Sequence, residues 1–262
     1  MALTEDRIPS PPSPSSPSDD LAKMTLVEHL SELRTRLVIC IVAVVVMTAV
    51  SWLFYNHAVD FMIKPYQTYL LHHKGKNISN FSLVTSSPLE GFTTRLKISA
   101  YGGVALSSPV LLWELWRFIT PGLHKNEKRY VVPFVSAAMV LFAAGVTTAI
   151  FVFPKALDWL ISVSGHGVVP LFSPQKYFTL YVLMCLIFGA VFMYPLIVIF
   201  LEISGAVPSA RWRKWRRPAI VIISVIAAVI TPSSDPFSFM AMAIPMLIFY
   251  EGAILVGRVL GK

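Results

Sequence analysis

The chain has 262 residues, of which 55% are hydrophobic and only 14% charged, with a mean hydropathy of +0.67. A soluble domain carries about a quarter of its residues as charges, so this composition excludes an ordinary water-soluble domain and makes lipid the solvent. Two cysteines, Cys40 and Cys185, exclude a disulfide-stapled secreted scaffold, and whether the net charge of +8 calls for an anionic partner depends on where the charges lie.

The chain opens on a polar tail. Residues 9–18, PSPPSPSSPS, lack apolar mass and can propagate neither a helix nor a strand ladder, so 1–23 read as a disordered tail. It is not a secretory signal, because no apolar stretch follows its first charges. Glu5, Asp6, Asp19 and Asp20 make it a poor transit peptide. Order is expected from Thr25, where Thr25-Leu-Val-Glu28 has capping-box spacing. Leu26, Leu30, Leu33 and Leu37 then recur at helical spacing. Glu28 and Glu32 fall on the other side, with Glu32 placed to pair with Arg36 at i,i+4. This predicts an amphipathic helix running straight into a first span.

A bilayer core needs about 20 apolar residues as helix. Six stretches qualify or come close: 37–56, 97–117, 130–154, 177–201, 218–231 and 237–250. The second is interrupted by Gly102, Gly103, Pro109 and Glu114. The fifth and sixth hold about 14 residues each, giving about 21 Å of helix against a core of roughly 30 Å. A re-entrant hairpin is the plainer reading of that pair. Two short true spans are preferred, because Arg211 to Arg217 before them and Arg258 after them supply anchors. Thr231-Pro-Ser-Ser-Asp-Pro236 supplies a tight turn between them. Short spans beside long ones are expected to thin the bilayer. The first outer loop, about 57–94, is too long for a plain connector and should carry short helices. The second, with Gly165, Gly167, Pro170 and Pro174, should fold as a cap.

Orientation follows from lysine and arginine near the span ends. Fifteen of the 22 basic residues fall on one side: Arg7, Lys23, Arg34, Arg36, Arg117, Lys125, Lys128, Arg129, the five from Arg211 to Arg217, Arg258 and Lys262. The sequence therefore predicts an all-α polytopic membrane protein with six transmembrane helices in residues 24–258. Both termini are cytoplasmic, 259–262 forms a short cytoplasmic C-terminus, and spans five and six are short. A bacterial plasma membrane is the simplest location. The net charge is then mostly topology, and no nucleic-acid partner is needed.

No catalytic set is visible. The six histidines, the adjacent pair His72-His73 included, do not pair with cysteine or carboxylate at metal-ligand spacing. There is no P-loop and no dinucleotide fingerprint, so no cofactor and no enzymatic activity is expected. Cys40 and Cys185 read as buried thiols. The informative groups are Glu32, Glu114, Glu127 and Glu251, carboxylates at or near the predicted cytoplasmic face. Three have a plain local reading: Glu32 paired with Arg36, Glu127 with Lys128 or Arg129, and Glu251 with Arg258. Together they suit a cationic ligand, and a guanidinium forms stronger, forked pairs with carboxylate than an ammonium does. A secondary small-molecule transporter is the alternative, although no internal repeat between the halves supports it.

Several motifs carry a resemblance. They are His29-Leu-Ser-Glu32-Leu-Arg34-Thr-Arg36-Leu, Ser87-Pro88-Leu-Glu90-Gly-Phe92 with Lys97, and Trp116-Arg-Phe118-Ile-Thr-Pro121-Gly122-Leu followed by Glu127. Further along come Phe188-Gly189-Ala-Val-Phe192 with Pro195, Thr231-Pro232 with Asp235, and Ala243-Ile-Pro245 with Tyr250-Glu251. From about Met24 to Arg258 the chain resembles the TatC family, the multispanning subunits of the twin-arginine protein translocase. The resemblance implies a receptor that binds twin-arginine signal peptides of folded proteins at the cytoplasmic face. It implies Glu32 and Glu127 as recognition carboxylates, with Arg34, Phe118 and Pro65 at positions the family depends on. Asp235, Glu251, Met193, Glu90 and Pro121 fall at structural or partner-docking positions. The implied partners are single-span TatA-like and TatB-like subunits, other copies of the chain and membrane lipid, with transport driven by the proton-motive force. The chain departs from the family at Met193, where many relatives carry glutamate, at Phe239, and at Glu114, where many carry glutamine.

Overall fold

The computed structural model describes residues 26–74, 83, 85, 87–119, 131–164, 172–203, 212 and 214–259. The expected disordered tail, the Thr25 cap, residues 165–171 of the second outer loop, and the segment with Pro121 and Glu127 lie outside the described residues. Those described form helices and no strands: α1 (Leu26–Leu53), α2 (Tyr55–Met62), α3 (Lys64–Lys74), α4 (Glu90–Ile119), α5 (Val131–Val163), α6 (Pro174–Phe192), α7 (Tyr194–Ile203), α8 (Arg216–Ile230) and α9 (Pro236–Val259). Four stretches are long and apolar enough to cross a membrane: Leu30–Leu53, Val132–Val163, Pro174–Glu202 and Pro236–Leu255. The more polar α4 and the shorter α8 fall outside that set.

α1 contains neither glycine nor proline, so the amphipathic start and the apolar span form one unbroken helix of 28 residues. None of its apolar stretch is buried within the chain. Val38, Ile41, Val42 and Val45 are exposed, as suits a face turned to lipid. Its neighbour is α4, which runs antiparallel to it. At one end Arg36 meets Glu114; at the other Arg95 donates to the Trp52 carbonyl at 3.3 Å and stacks on the Trp52 ring at 4.5 Å. The seam is made by Gly102 and Gly103. A Cβ on Gly103 would stand 2.1 Å from Thr48 Oγ1 and 2.6 Å from the Thr48 backbone nitrogen. Hydropathy treats these glycines as interruptions; in the fold they are where two helix backbones touch, the usual packing device in lipid. Pro109 lies inside α4, which continues through it to Ile119.

The core is centred on α6. Tyr177, Phe178, Tyr181, Met184, Phe188 and Phe192 are all buried, against Phe153 of α5 and Met242, Met246, Tyr250 and Ile254 of α9. The Tyr177 hydroxyl donates to the Met62 carbonyl at 2.8 Å, tying α2 to this core. The expectation of short helices in the first outer loop is met by α2 and α3.

One sequence expectation is refined and one is corrected. The fourth span, expected over 177–201, falls within the apolar stretch Pro174–Glu202 but breaks at Met193 into two helices. Pro195 has no N–H to offer Val191 and its ring crowds that carbonyl. The chain tightens to an i−3 bond from Met193 N–H to Ala190 O at 3.2 Å, and α7 starts at Tyr194. The sixth span is not short. α9 has 24 residues, about 36 Å of helix. The sequence reading stopped at the first charge, Glu251. That side chain is half-exposed and paired with Arg216 at 2.7 Å, so the helix carries on past it to bury Ala253 and Ile254.

α8 is short, at 15 residues or about 22 Å. The turn after it lies deep. Ser238, in the first turn of α9, donates to Met184 Sδ at 3.9 Å. Met184 is ten residues past the start of α6, about 15 Å along that helix. The 231–235 turn therefore stops well short of the end where α6 begins.

Candidate functional site

The polar face of α1 places Glu32 and Arg36 one turn apart. Arg36 Nε donates to Glu32 Oε1 at 3.1 Å, and Nη2 also reaches that oxygen. The antiparallel return of α4 adds a third group: Arg36 Nη1 donates to Glu114 Oε2 at 3.0 Å. The side chains are 21%, 14% and 8% exposed for Glu32, Arg36 and Glu114 respectively. They line an open cavity of about 310 Å³ with Ser31, Thr35, Ile39 and Arg117. One guanidinium thus serves two carboxylates. The second oxygen of Glu32, Oε2, is buried and has no hydrogen-bond partner among the described residues. Arg36 and Arg117 balance Glu32 and Glu114 in formal charge. The local Glu32–Arg36 pairing is as the sequence suggests. Glu114 is the member that sequence spacing could not supply, since it lies 78 residues from Arg36.

Phe118 is half-buried one turn beyond Glu114, at the same end of the bundle. That end is braced by aromatic edges, with Trp116 4.5 Å from Phe134 of α5 and 5.2 Å from Phe200 of α7. Arg34 is exposed on α1 between the two acid–base partners. Pro65 is not in this cluster. It is the second residue of α3, beyond the far end of α1, and Glu32 is 21 residues or about 32 Å from that end. There it lines a second cavity, of about 480 Å³, with Lys64, Tyr69, Asp158 and Tyr181. Glu90 also lies at the far end. It is buried in the first turn of α4 and accepts a hydrogen bond from the Ser173 hydroxyl, which ties α4 to the start of α6.

The remaining positions are structural in character. Asp235 is 1% exposed and caps α9: Oδ1 accepts from the Ser238 N–H at 2.8 Å, and Oδ2 accepts from the Ser233 hydroxyl. Pro236 follows at the first helical position, where its missing N–H is no loss. Glu251 pairs with Arg216 of α8, because the antiparallel α8 brings its first turn alongside; the side chain of Arg258, the partner expected from the sequence, lies outside the described residues. Met193 sits at the α6–α7 break and packs on a small apolar cluster of Leu112, Val135, Ala138 and Leu196. Glu114 lies on α4 and its carboxylate is engaged by Arg36 of α1. Glu202, at the end of α7, is fully buried with neither oxygen partnered among the described residues; the sequence reading did not single it out as a site.

The fold and this site define an α-helical multi-pass membrane protein with a carboxylate-lined cleft at one end of its bundle. Residues 28–245 match the family described as TatC, Sec-independent protein translocase protein. A Sec-independent protein translocase protein TatC of Frankia casuarinae is 39% identical over 240 residues, covering 90% of this chain and 66% of that protein. A TatC of Corynebacterium kroppenstedtii is 32% identical over 255 residues, covering 90% of this chain and 62% of that one. The chain thus spans a little under two thirds of the length of these two relatives. The crystal structure of a twin arginine translocase receptor, TatC, superposes with a TM-score of 0.71 at 32% identity, covering 90% of this chain and all of that one. The chain belongs to the TatC family, and it is a multi-pass protein of the bacterial cytoplasmic membrane.

Proposed function

We propose that this chain is the receptor subunit of a twin-arginine translocase. It crosses the membrane six times with both termini in the cytoplasm, and the cleft between α1 and α4 opens on that side. Glu32 and Glu127 receive the two guanidinium groups of a signal peptide, with Phe118 beside the cleft. The observation that carries the reading is the Glu32 carboxylate: one oxygen is engaged by Arg36, and the other is buried without a partner at a cavity wall. A carboxylate so placed favours a forked cationic donor.

The other parts of the reading have separate supports. α4 and α8 complete six crossings with the four longer stretches. TatA-like and TatB-like single-span subunits dock along α8 and α9, where Ile220, Val221, Val225 and Val229 present apolar surface. The proton-motive force drives transport, in keeping with a sequence that has no nucleotide-binding loop. The test is site-specific cross-linking of a twin-arginine peptide to Glu32→Gln, Glu127→Gln and the double variant in membranes. Each single substitution should weaken capture, and the double should abolish it. Undiminished capture by the double variant refutes the site.

A further inference from the structure

We infer that Arg36 is an internal competitor for the Glu32 carboxylate, and that Glu114 is the seat to which it retires when a ligand arrives. This deepens the receptor reading and rests on it. Three of the five N–H donors of Arg36 are already committed, two to Glu32 Oε1 and one to Glu114 Oε2. In geometry and charge the side chain occupies the place an incoming guanidinium would take. Glu32 Oε2 is buried and has no partner among the described residues, while Oε1 is shared with Arg36. A bidentate pair across both oxygens therefore forms only when Arg36 gives up its bonds to Oε1.

Arg36 is mostly buried, and a buried charge stripped of its counter-charge is strongly disfavoured. The exchange proceeds because Glu114, more deeply buried than Glu32 and already bonded to Arg36, keeps it paired throughout. Glutamine at 114 would accept a hydrogen bond but carry no charge, and Arg36 would then cling to Glu32. Among the described lining residues, Arg36 and Arg117 are set against Glu32 and Glu114 before a ligand enters. Occupancy is consequently registered as a shift of one side chain from α1's carboxylate to α4's.

Binding of a synthetic peptide carrying a consecutive arginine pair, to the full chain in lipid nanodiscs, tests this. Removing the competitor with Arg36→Gln should tighten binding about tenfold or more, the scale of one charge-assisted hydrogen bond. Arg36→Lys keeps the charge, loses the fork, and should fall between Arg36→Gln and the native protein; it also guards against a folding defect in Arg36→Gln. Glu114→Gln should weaken binding about tenfold in the native background and have little effect beside Arg36→Gln, since the two act on one step. Weaker binding in both Arg36 variants, or an equal Glu114→Gln effect in both backgrounds, overturns the inference. Glu32→Gln separates the two levels. If it leaves binding intact, the receptor reading itself fails; if it weakens binding while Arg36→Gln fails to tighten it, only the competitor is refuted.

Discussion

Replacing Gly103 with alanine adds one methyl group where the α1–α4 seam leaves no room. The new Cβ would lie 2.1 Å from Thr48 Oγ1, 2.6 Å from the Thr48 nitrogen and 2.7 Å from its Cα. A hydroxyl can rotate away, but the backbone atoms cannot, so the two helices must separate by roughly an ångström. Overpacking of this kind costs about 1–3 kcal/mol. Alanine recovers up to about 1 kcal/mol of helix propensity over glycine, so the net loss is at most about 2 kcal/mol where that gain is realised in full. Gly102→Ala is the internal control. Its Cβ meets only the Ser51 side chain, with Oγ at 2.4 Å and Cβ at 3.4 Å, and a rotamer change relieves the closer contact. Thermal unfolding of purified protein in detergent, read by cysteine accessibility at Cys185, should rank native and Gly102→Ala together and Gly103→Ala below them. Thr48→Ala in the Gly103→Ala background should restore only part of the loss, because the backbone contacts persist. The reasoning is refuted if Gly103→Ala is as stable as Gly102→Ala, or if Thr48→Ala rescues it in full.

Two further outcomes follow from the turn and from the ion pair. Asp235→Ala should destabilise the α8–α9 hairpin by about 1–2 kcal/mol through loss of the cap, and more where the Ser238 N–H and Ser233 hydroxyl stay unpaired. Asp235→Asn, which still caps, should remain near native in the same unfolding assay. Glu251→Gln removes a pair whose side chains are 46% and 48% exposed. Its effect on unfolding should lie within about 1 kcal/mol and shrink further in high salt.

Local signals carried well from sequence to structure, and contacts across the bundle did not. The uninterrupted α1 and the Glu32–Arg36 pair rest on spacings of a few residues, and the helices in the first outer loop on its length. Glu114 joined that pair only through the antiparallel return of α4. Arg216 reaches Glu251 for the same reason. One charge and two glycines mislead a hydropathy reading. Glu251 looks like the end of a span, although an exposed pair lets a helix run on. Gly102 and Gly103 look like interruptions, when their packing role is visible only with Thr48 and Ser51 in place. Pro195 did signal the break at Met193, and an apolar run around it concealed the signal. Pro65 illustrates a different limit: the family resemblance grouped it with the recognition residues, but chain geometry puts it at the opposite end of the bundle.

The depth of the 231–235 turn has an electrical consequence. A membrane potential falls almost wholly across the apolar slab, and each elementary charge moved through it exchanges about 2.3 kcal/mol per 100 mV. A lipid slab matched to the length of α8 would measure about 22 Å in place of roughly 30 Å. At the same voltage the field across it would be steeper by about a third, and a charged or dipolar segment entering along this hairpin would be pulled harder than along α1 or α5.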